Sequence, residues 1–505
     1  MAASTQKKFI LLINSAPFSR EYFSELGRSL DRAGAAVSYV LDSHVTDVMS
    51  GQGASLPHSH YFTDFCQAWK QSGAPLPAAS DLSWGSLLSD FDRFLTYGLT
   101  PPLKKSGALD HDALLVLLEA FFEKVFDEVR PDALVYEPIS NSFAIAAWRA
   151  AQRRGIPFFS VQPGRIPGRY IEVSPTGALR DHVALGGLLA DVRRDGVSAE
   201  TRKIAEDYIA SIDNQIPDYM KKGGDGASLM ASSLISKYAN REKLDRFRRA
   251  LRYRRSHRED MALAYQVGDP LRVSWAMFLR QVKRRLRFRA VTRMFQAGVR
   301  GEKYFLYPLH FHPEASTSVL APDYIDEMSV IRAIAFRLPV GVKLVVKEHP
   351  SATALQPRSF YRDLAALPNV ELVAPELNAK LLARKAIGVI CITSTLGFEA
   401  ALLNKPVIAL GDVIYGYFPN VRMIEHFGEL NAALDWAMAY QPLDPERIIE
   451  AMAAYVEYLD EGSFSFKGSL KDQAAIDQVA AVLLGKLVEP VGGKTVAGRG
   501  VQSQA

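Results

Sequence analysis

The sequence predicts an α/β protein made of two doubly wound halves, with a basic helical connector between them and helices closing the C-terminus. Three observations predict it. Short apolar runs alternate with helix-period segments up to residue 200, the strand signal vanishes between 200 and 300, and the same alternation resumes at Tyr304. A strand–helix–strand rhythm of this kind implies a parallel sheet covered on both faces. At 505 residues the chain exceeds one ordinary core, so a division into domains is expected.

The elements follow in order. Residues 9–13 read as the first buried strand, 21–34 as a helix ending in Gly34, and 36–41 as the next strand. A less regular helical stretch covers 60–128, then a strand at 132–136, a helix at 142–154 stopped by Gly155, and a strand at 156–161. Residues 201–300 read as helical and charged, with the clearest break at Gly223-Gly224-Asp225-Gly226. Strands are expected again at 304–307, 342–346, 370–373, 387–392 and 406–410, with helices at 323–337, 357–366 and 396–403. Segments 444–460 and 470–487 read as closing helices. The expected division is 1–200 and 301–465 for the two Rossmann-like domains, 201–300 for the connector, 466–487 for a closing helix and 488–505 for a disordered tail, which has no hydrophobic period.

Composition narrows the class. Hydrophobic residues make up 48% and charged residues 23%, as in a water-soluble globular protein. No apolar run approaches the ~18 residues of a membrane span. The N-terminal run of Phe9 to Ile13 is too short for a secretory signal, so a cytoplasmic location is expected. Cys66 and Cys391 are the only cysteines, which excludes a disulfide framework and a cysteine zinc site. The net charge of +5 is uneven: residues 241–300 hold 18 Lys and Arg against 5 Asp and Glu, so the remainder carries −8. Such a belt suits peripheral contact with an anionic membrane or a polyanionic acceptor. It equally suits a solvated connector whose arginines pair with acids elsewhere. No nucleic-acid motif accompanies the charge, so no nucleic-acid partner is expected.

Three polar clusters fall just past apolar strands, where ligands bind in open α/β sheets. Lys347-Glu348-His349-Pro350 follows the 342–346 strand, and Pro350 holds the preceding residue extended. His349 can donate a ring hydrogen bond to a phosphate, and Lys347 adds a point charge. Thr393-Ser394-Thr395 sits between the 387–392 strand and the next helix. These hydroxyls cap a helix, and the same helix end forms an anion site. Gly397 would allow close approach, and Glu399, one turn in, either completes the cap or meets ligand hydroxyls. The two loops are expected on adjacent strand ends. The third cluster, Tyr307 to Thr317, opens the second half and offers His310, Glu314 and Ser316 for ligand contact. Its two histidines lack the carboxylate and cysteine pattern of a metal site, so no metal is expected. In the first half, Tyr136-Glu137-Pro138 ends a strand, and Glu137 is the candidate catalytic base. Arg165 and Arg169 could bind an acidic acceptor or pair with surface acids.

Two doubly wound halves with a helical connector and closing helices resemble the GT-B glycosyltransferase architecture, which nucleotide-sugar epimerases share. The run 304–317, then 347–350, then 393–400 followed by Lys405-Pro406-Val407-Ile408, resembles the bacterial capsule polysaccharide synthesis family. That family includes transferases of CMP-activated Kdo, and the His-Pro and Ser/Thr elements are also similar to those of GT-B sialyltransferases. The resemblance implies that His349, Ser394 and Thr395 hold the nucleotide phosphate, while His310 and Glu314 line the donor pocket. It implies a nucleotide-sugar substrate, CMP-linked in the favoured case, no separate cofactor, and a glycan or glycolipid acceptor. The segment from His310 to Ser316 departs from the Gln-containing, acid-rich segment of Kdo-transferring members, which leaves the donor sugar open. Two other readings fit the outline: a nucleotide-sugar epimerase or hydrolase, and a non-catalytic component of polysaccharide assembly or export.

Overall fold

The structure is a computed structural model that describes residues 6–51, 55–77, 80–96, 99, 109–166, 170–215, 241–466 and 468–488. The glycine-rich break at 223–226, Arg169 and all of the expected tail except Val488 lie outside these residues. The chain divides into two units: the described residues of 1–178, 232–278 and 460–493 form one, and those of 179–231 and 279–459 form the other. The chain therefore changes unit at positions that do not coincide with the compositional divisions at 200, 300 and 465. Local packing explains two of the crossings. The helices Asp181–Asp195 and Ala199–Ala210 lie on the helix Pro445–Tyr458, joined by Arg202–Glu446 and Arg193–Glu450 ion pairs. The closing helix Gln473–Val488 lies on Pro17–Arg32, where Arg32 and the Ser29 hydroxyl reach Asp477 at 2.8 and 2.6 Å.

The first unit is built on β1 (Lys8–Ile13), β2 (Ala36–Leu41), β3 (Ser59–Tyr61), β4 (Ala133–Tyr136), β5 (Phe158–Pro163) and β6 (Tyr170–Ser174). Their order in the sheet is β6-β5-β4-β1-β2-β3, and the short strand Asp460–Glu461 adds antiparallel outside β6. All pairs from β5 to β3 are parallel, whereas β6 returns antiparallel. Phe9 to Ile13 are fully buried, as expected of a strand covered on both faces. Each such side chain contributes about 1.5–3 kcal/mol of burial. The helix Ser142–Arg153 starts where the Asn141 side chain accepts from Ala144 N at 2.9 Å, and its alanine-rich face is buried.

The second unit holds β7 (Tyr304–Pro308), β8 (Lys343–Lys347), β9 (Val370–Val373), β10 (Gly388–Cys391), β11 (Val407–Ala409) and β12 (Val421–Met423). Their order is β12-β11-β10-β7-β8-β9, and every pair is parallel. The predicted α/β class with two doubly wound Rossmann-type sheets holds. In each sheet the first three strands run outward and the fourth returns to the far side of the first, so the order reverses between β1 and β4 and between β7 and β10. Such reversals open a crevice at the strands' carboxyl ends.

The sequence reading did not contain β3, β6 or β12. β3 and β12 are three residues each, and β12 is half-buried throughout, so neither carries a readable period. One spatial expectation is corrected. β8 and β10 are not adjacent, because β7 lies between them. The Lys347 and Ser394 loops therefore flank the loop after β7.

Candidate functional site

Three loops meet at the reversal of the second sheet: 309–318 after β7, 347–355 after β8 and 392–397 after β10. A buried histidine joins the first to the third. His310 Nε2 accepts from Thr393 N at 3.2 Å, and its Nδ1 lies 3.0 Å from Glu327 Oε1. Accepting at Nε2 places the ring proton on Nδ1, where it is donated to the carboxylate. Glu327 Oε1 also accepts from His310 N at 2.9 Å and from the Tyr307 hydroxyl at 3.3 Å. Both ring nitrogens of His310 are thus committed within the protein. It positions the loops rather than offering a donor to a ligand, contrary to the expectation for it.

His349 is arranged differently. Its Nδ1 accepts from Ser351 N at 3.2 Å, capping the short 3-10 helix Pro350–Ala352. The neutral ring then carries its proton on Nε2. No hydrogen bond to Nε2 occurs among the described residues. Burial, reinforced by the positive charge of Lys347, pulls the His349 pKa down to about 4. At neutral pH His349 is therefore an uncharged Nε2–H donor. The Phe311 ring meets it edge-on, with centroids 6.2 Å apart, which ties the second loop to the first.

Lys347 does not present a free point charge. Its buried ammonium donates to the carbonyls of Glu348 and Pro375 at 3.2 and 3.0 Å, and burial lowers its pKa to about 8. Glu348 is also buried, accepting from His349 N at 2.8 Å and from the Tyr361 hydroxyl. Burial raises its pKa to about 7. Glu348 fixes the backbone entering His349, a role the sequence did not suggest.

After β10 the Ser394 hydroxyl accepts from Leu396 N at 3.2 Å and caps the helix Thr395–Leu402. No hydrogen bond to the Thr395 hydroxyl occurs among the described residues. The Thr393 hydroxyl is buried without a partner among them. A helix N-terminus flanked by hydroxyls is an arrangement that can take an anion. Gly397 has another purpose than ligand approach. A Cβ there would overlap the Tyr415 hydroxyl and sit 2.9 Å from Cys391 Sγ. Glu399 faces Lys380 at 3.4 Å, so its carboxylate is paired rather than open to ligand hydroxyls. Glu314 is exposed at the start of the Ala315–Ser318 turn, and Ser316 is half-buried within it.

The sequence also missed what holds the β8 loop. Arg280, Arg284 and Arg287, spaced for one helix face, project from the helix Pro270–Thr292. Arg284 donates from Nε to Thr353 O at 2.8 Å and from Nη2 to Ser351 O at 3.0 Å, and is only 2% exposed. Arg287 donates from Nε to Ala354 O at 2.7 Å and to Leu355 O, and Arg280 reaches His312 O at 3.1 Å. Part of the basic belt is therefore a clamp on backbone carbonyls, neither of the two roles expected for it. The spacing 280, 284, 287 was the available signal.

In the first unit Glu137 stands past β4, at the reversal beside β1. Asn14, just past β1, donates to its Oε1, and the Ser140 hydroxyl lies 3.4 Å from the same atom. Burial raises the Glu137 pKa against these hydrogen bonds.

The second unit is therefore a doubly wound domain with the loops after β7, β8 and β10 at its switch point. A family model described as capsule polysaccharide biosynthesis protein matches residues 228–418, less than half of the chain but including all three loops. The resemblance read from the sequence holds. Protein FixF of Sinorhizobium fredii is 35% identical over 121 residues, 24% of this chain and 29% of that protein, so the chain spans under a third of that relative. Among solved structures, the β-Kdo 2,7 transferase KpsC of Thermosulfurimonas dismutans is similar at 12% identity and a TM-score of 0.31, over 72% of this chain and 89% of that one. UDP-GlcNAc 2-epimerase from Neisseria meningitidis, bound to UDP-GlcNAc, is similar at 12% identity and a TM-score of 0.28, over 96% and 100%. Both likenesses are distant.

Proposed function

We propose that the protein is a metal-independent glycosyltransferase of bacterial surface-polysaccharide assembly. The observation that carries this reading is the Nε2–H of His349, without a hydrogen-bond partner among the described residues, on the loop after β8 of the same sheet whose β10 leads into the capped N-terminus of Thr395–Leu402, in a stretch matched by the capsule biosynthesis model. In this reading the donor phosphate accepts from His349 Nε2 and from the hydroxyls and N–H groups of Ser394 and Thr395. These donors stabilise the charge that develops on the leaving phosphate. Glu137 takes the proton from the acceptor hydroxyl.

A CMP-linked acidic sugar such as Kdo is the favoured donor. Lys347, Arg284 and Arg287 donate to protein carbonyls and His310 is bridged to Glu327, which leaves mainly neutral donors for the ligand. Neutral donors suit a single phosphodiester charge better than a diphosphate. The acceptor is a glycan or glycolipid. No described helix is long and apolar enough to cross a membrane. Peripheral contact with an anionic surface falls in this reading to exposed groups such as Lys283, Leu286 and Arg289, not to the carbonyl-bound arginines. Vesicle flotation of wild type against a Lys283→Glu, Arg289→Glu variant tests that contact, and equal flotation would remove it.

The transferase reading is tested by calorimetric titration with CMP, UDP and GDP. Binding of none at millimolar concentration would end it. Consumption of a nucleotide-sugar without acceptor would favour an epimerase or hydrolase instead.

A further inference from the structure

The second unit carries a cavity of about 590 Å3 that none of the three loops lines. Its floor is one face of the helix Asp181–Asp195, where Gly186, Leu189 and Ala190 follow at i, i+3 and i+4. Tyr417, from the short helix Ile414–Tyr417 past β11, lines it beside Gly186. A Cβ on Gly186 would meet only the Tyr417 Cβ, at 3.9 Å, among the described residues.

His182 lines the end joined to the sheet. Its Nδ1 lies 3.0 Å from Asp412 Oδ1, and Asp412 Oδ2 accepts from Arg180 N at 2.6 Å. Arg180 holds a left-handed backbone, φ 57°, a strained conformation kept in place by this contact. An ionised carboxylate only accepts, so the proton of the neutral ring sits on Nδ1 and Nε2 carries a lone pair. Nε2 makes no hydrogen bond among the described residues, yet it is not a buried atom, so it opens toward the cavity. Asp412 N donates to Leu320 O at 2.8 Å, just after the loop that follows β7, and Gly411 N to Ile392 O at 3.1 Å. A Cβ on Gly411 would sit 2.6 Å from Thr393 Cγ2. The His182 end of the cavity is thus built against the loops proposed to hold the donor phosphate.

The cations of the cavity are already neutralised. Arg193 meets Glu450 at 3.0 Å, and Arg194 meets Asp191 and Asp195 at 2.7 and 2.9 Å. The Tyr417 hydroxyl donates to Ala451 O at 2.8 Å. What the cavity offers a ligand is an aliphatic floor, the Tyr417 ring and one lone pair at the end.

We infer that this cavity receives the sugar ring carried by the donor phosphate, with a ring hydroxyl donating to His182 Nε2 and the carbon-bound face lying on Leu189, Ala190 and Tyr417. A hydroxyl supplies the hydrogen that Nε2 accepts. An apolar lining with one placed polar group, in a volume of this size, suits a small ring. A nucleobase would sit better between two flat rings, and the floor here is aliphatic. The link to the donor rests on the transferase reading, whereas the cavity and its lone pair do not.

The test is saturation-transfer NMR on the full chain, without nucleotide, using glucose, galactose, mannose and Kdo, with cytidine as the nucleobase control. At least one of the sugars should bind, and cytidine should not displace it. His182→Phe keeps a ring without the lone pair and should weaken that sugar about fivefold, the effect of one neutral hydrogen bond. Gly186→Leu fills the space above the floor and should abolish binding. Leu suits a helix better than Gly, so this variant should fold. Calorimetric titration of the same proteins with CMP reports separately on the phosphate loops. No sugar binding, sugar binding unchanged in either folded variant, or displacement of the sugar by cytidine would overturn the proposal while leaving CMP binding, and so the transferase reading, untouched. Sugar binding that Gly186→Leu abolishes, in a protein that binds no CMP, would uphold the sugar site and end the transferase reading instead.

Discussion

Replacing Arg284 with Ala removes two hydrogen bonds from a guanidinium to Thr353 O and Ser351 O, at 2.8 and 3.0 Å, in a side chain that is almost fully buried. Hydrogen bonds to charged groups are worth about 1.5–3 kcal/mol each. The expected loss of stability is therefore roughly 3–6 kcal/mol, nearer the lower figure if water reaches the freed carbonyls. Ser351 is also the residue whose N–H fixes the His349 ring, so loosening the loop should weaken nucleotide binding as well. A transmitted cost of about 1.4 kcal/mol would raise the Kd tenfold. Urea denaturation of the second unit and calorimetric titration with nucleotide measure the two effects. Arg284→Lys should recover only part of each, because an ammonium cannot present the planar fork. Arg289→Ala, exposed on the same helix, should change neither. Stability within about 0.5 kcal/mol of wild type, the range of ordinary surface substitutions, together with an unchanged Kd, would refute the clamp.

Other predictions follow from the same geometry. The His349 ring should titrate near pH 4 by NMR. Its folded pKa lies below the unfolded value, so the unfolded chain binds more protons between about 4 and 6.5 and stability rises with pH across that window. The full effect is about 3 kcal/mol, and His349→Gln should flatten that part of the profile. Glu348, with its pKa raised to about 7, acts in the opposite sense, so stability should steepen on the acid side in Glu348→Gln. Ser394→Ala should cost about 1 kcal/mol through the lost cap and weaken nucleotide binding further than stability alone explains. Glu137→Gln should abolish transfer and leave nucleotide affinity unchanged, since donor and acceptor groups belong to different units in the proposed reaction.

Much of the architecture was legible because buried parallel strands are near-continuous apolar runs. The stretches around Phe9, Val345 and Ile390 announce themselves in this way. The short strands at Ser59 and Val421 do not, because three residues carry no period. The divisions between units were hidden for another reason: helices at 181–210 and 473–488 are assigned by what they pack against, which local sequence does not record. At the site, position past a strand end picked out His349, Ser394 and Thr395. It could not distinguish a group facing a ligand from one spent internally. His310, Lys347 and Glu399 each look like ligand contacts in sequence, and each is engaged by a partner distant in the chain or by a backbone carbonyl. Glu327, which gathers His310 and Tyr307, was unremarkable as an acidic residue near a helix start.

The central claim is that the loops after β7, β8 and β10 hold a nucleotide phosphate through His349. Calorimetric titration of wild type and His349→Ala with CMP tests it most directly, with circular dichroism confirming that the variant is folded. The account predicts saturable binding below millimolar Kd in wild type and loss of about tenfold or more in the variant, as for a lost hydrogen bond to a charged group. Equal binding by both proteins would contradict it.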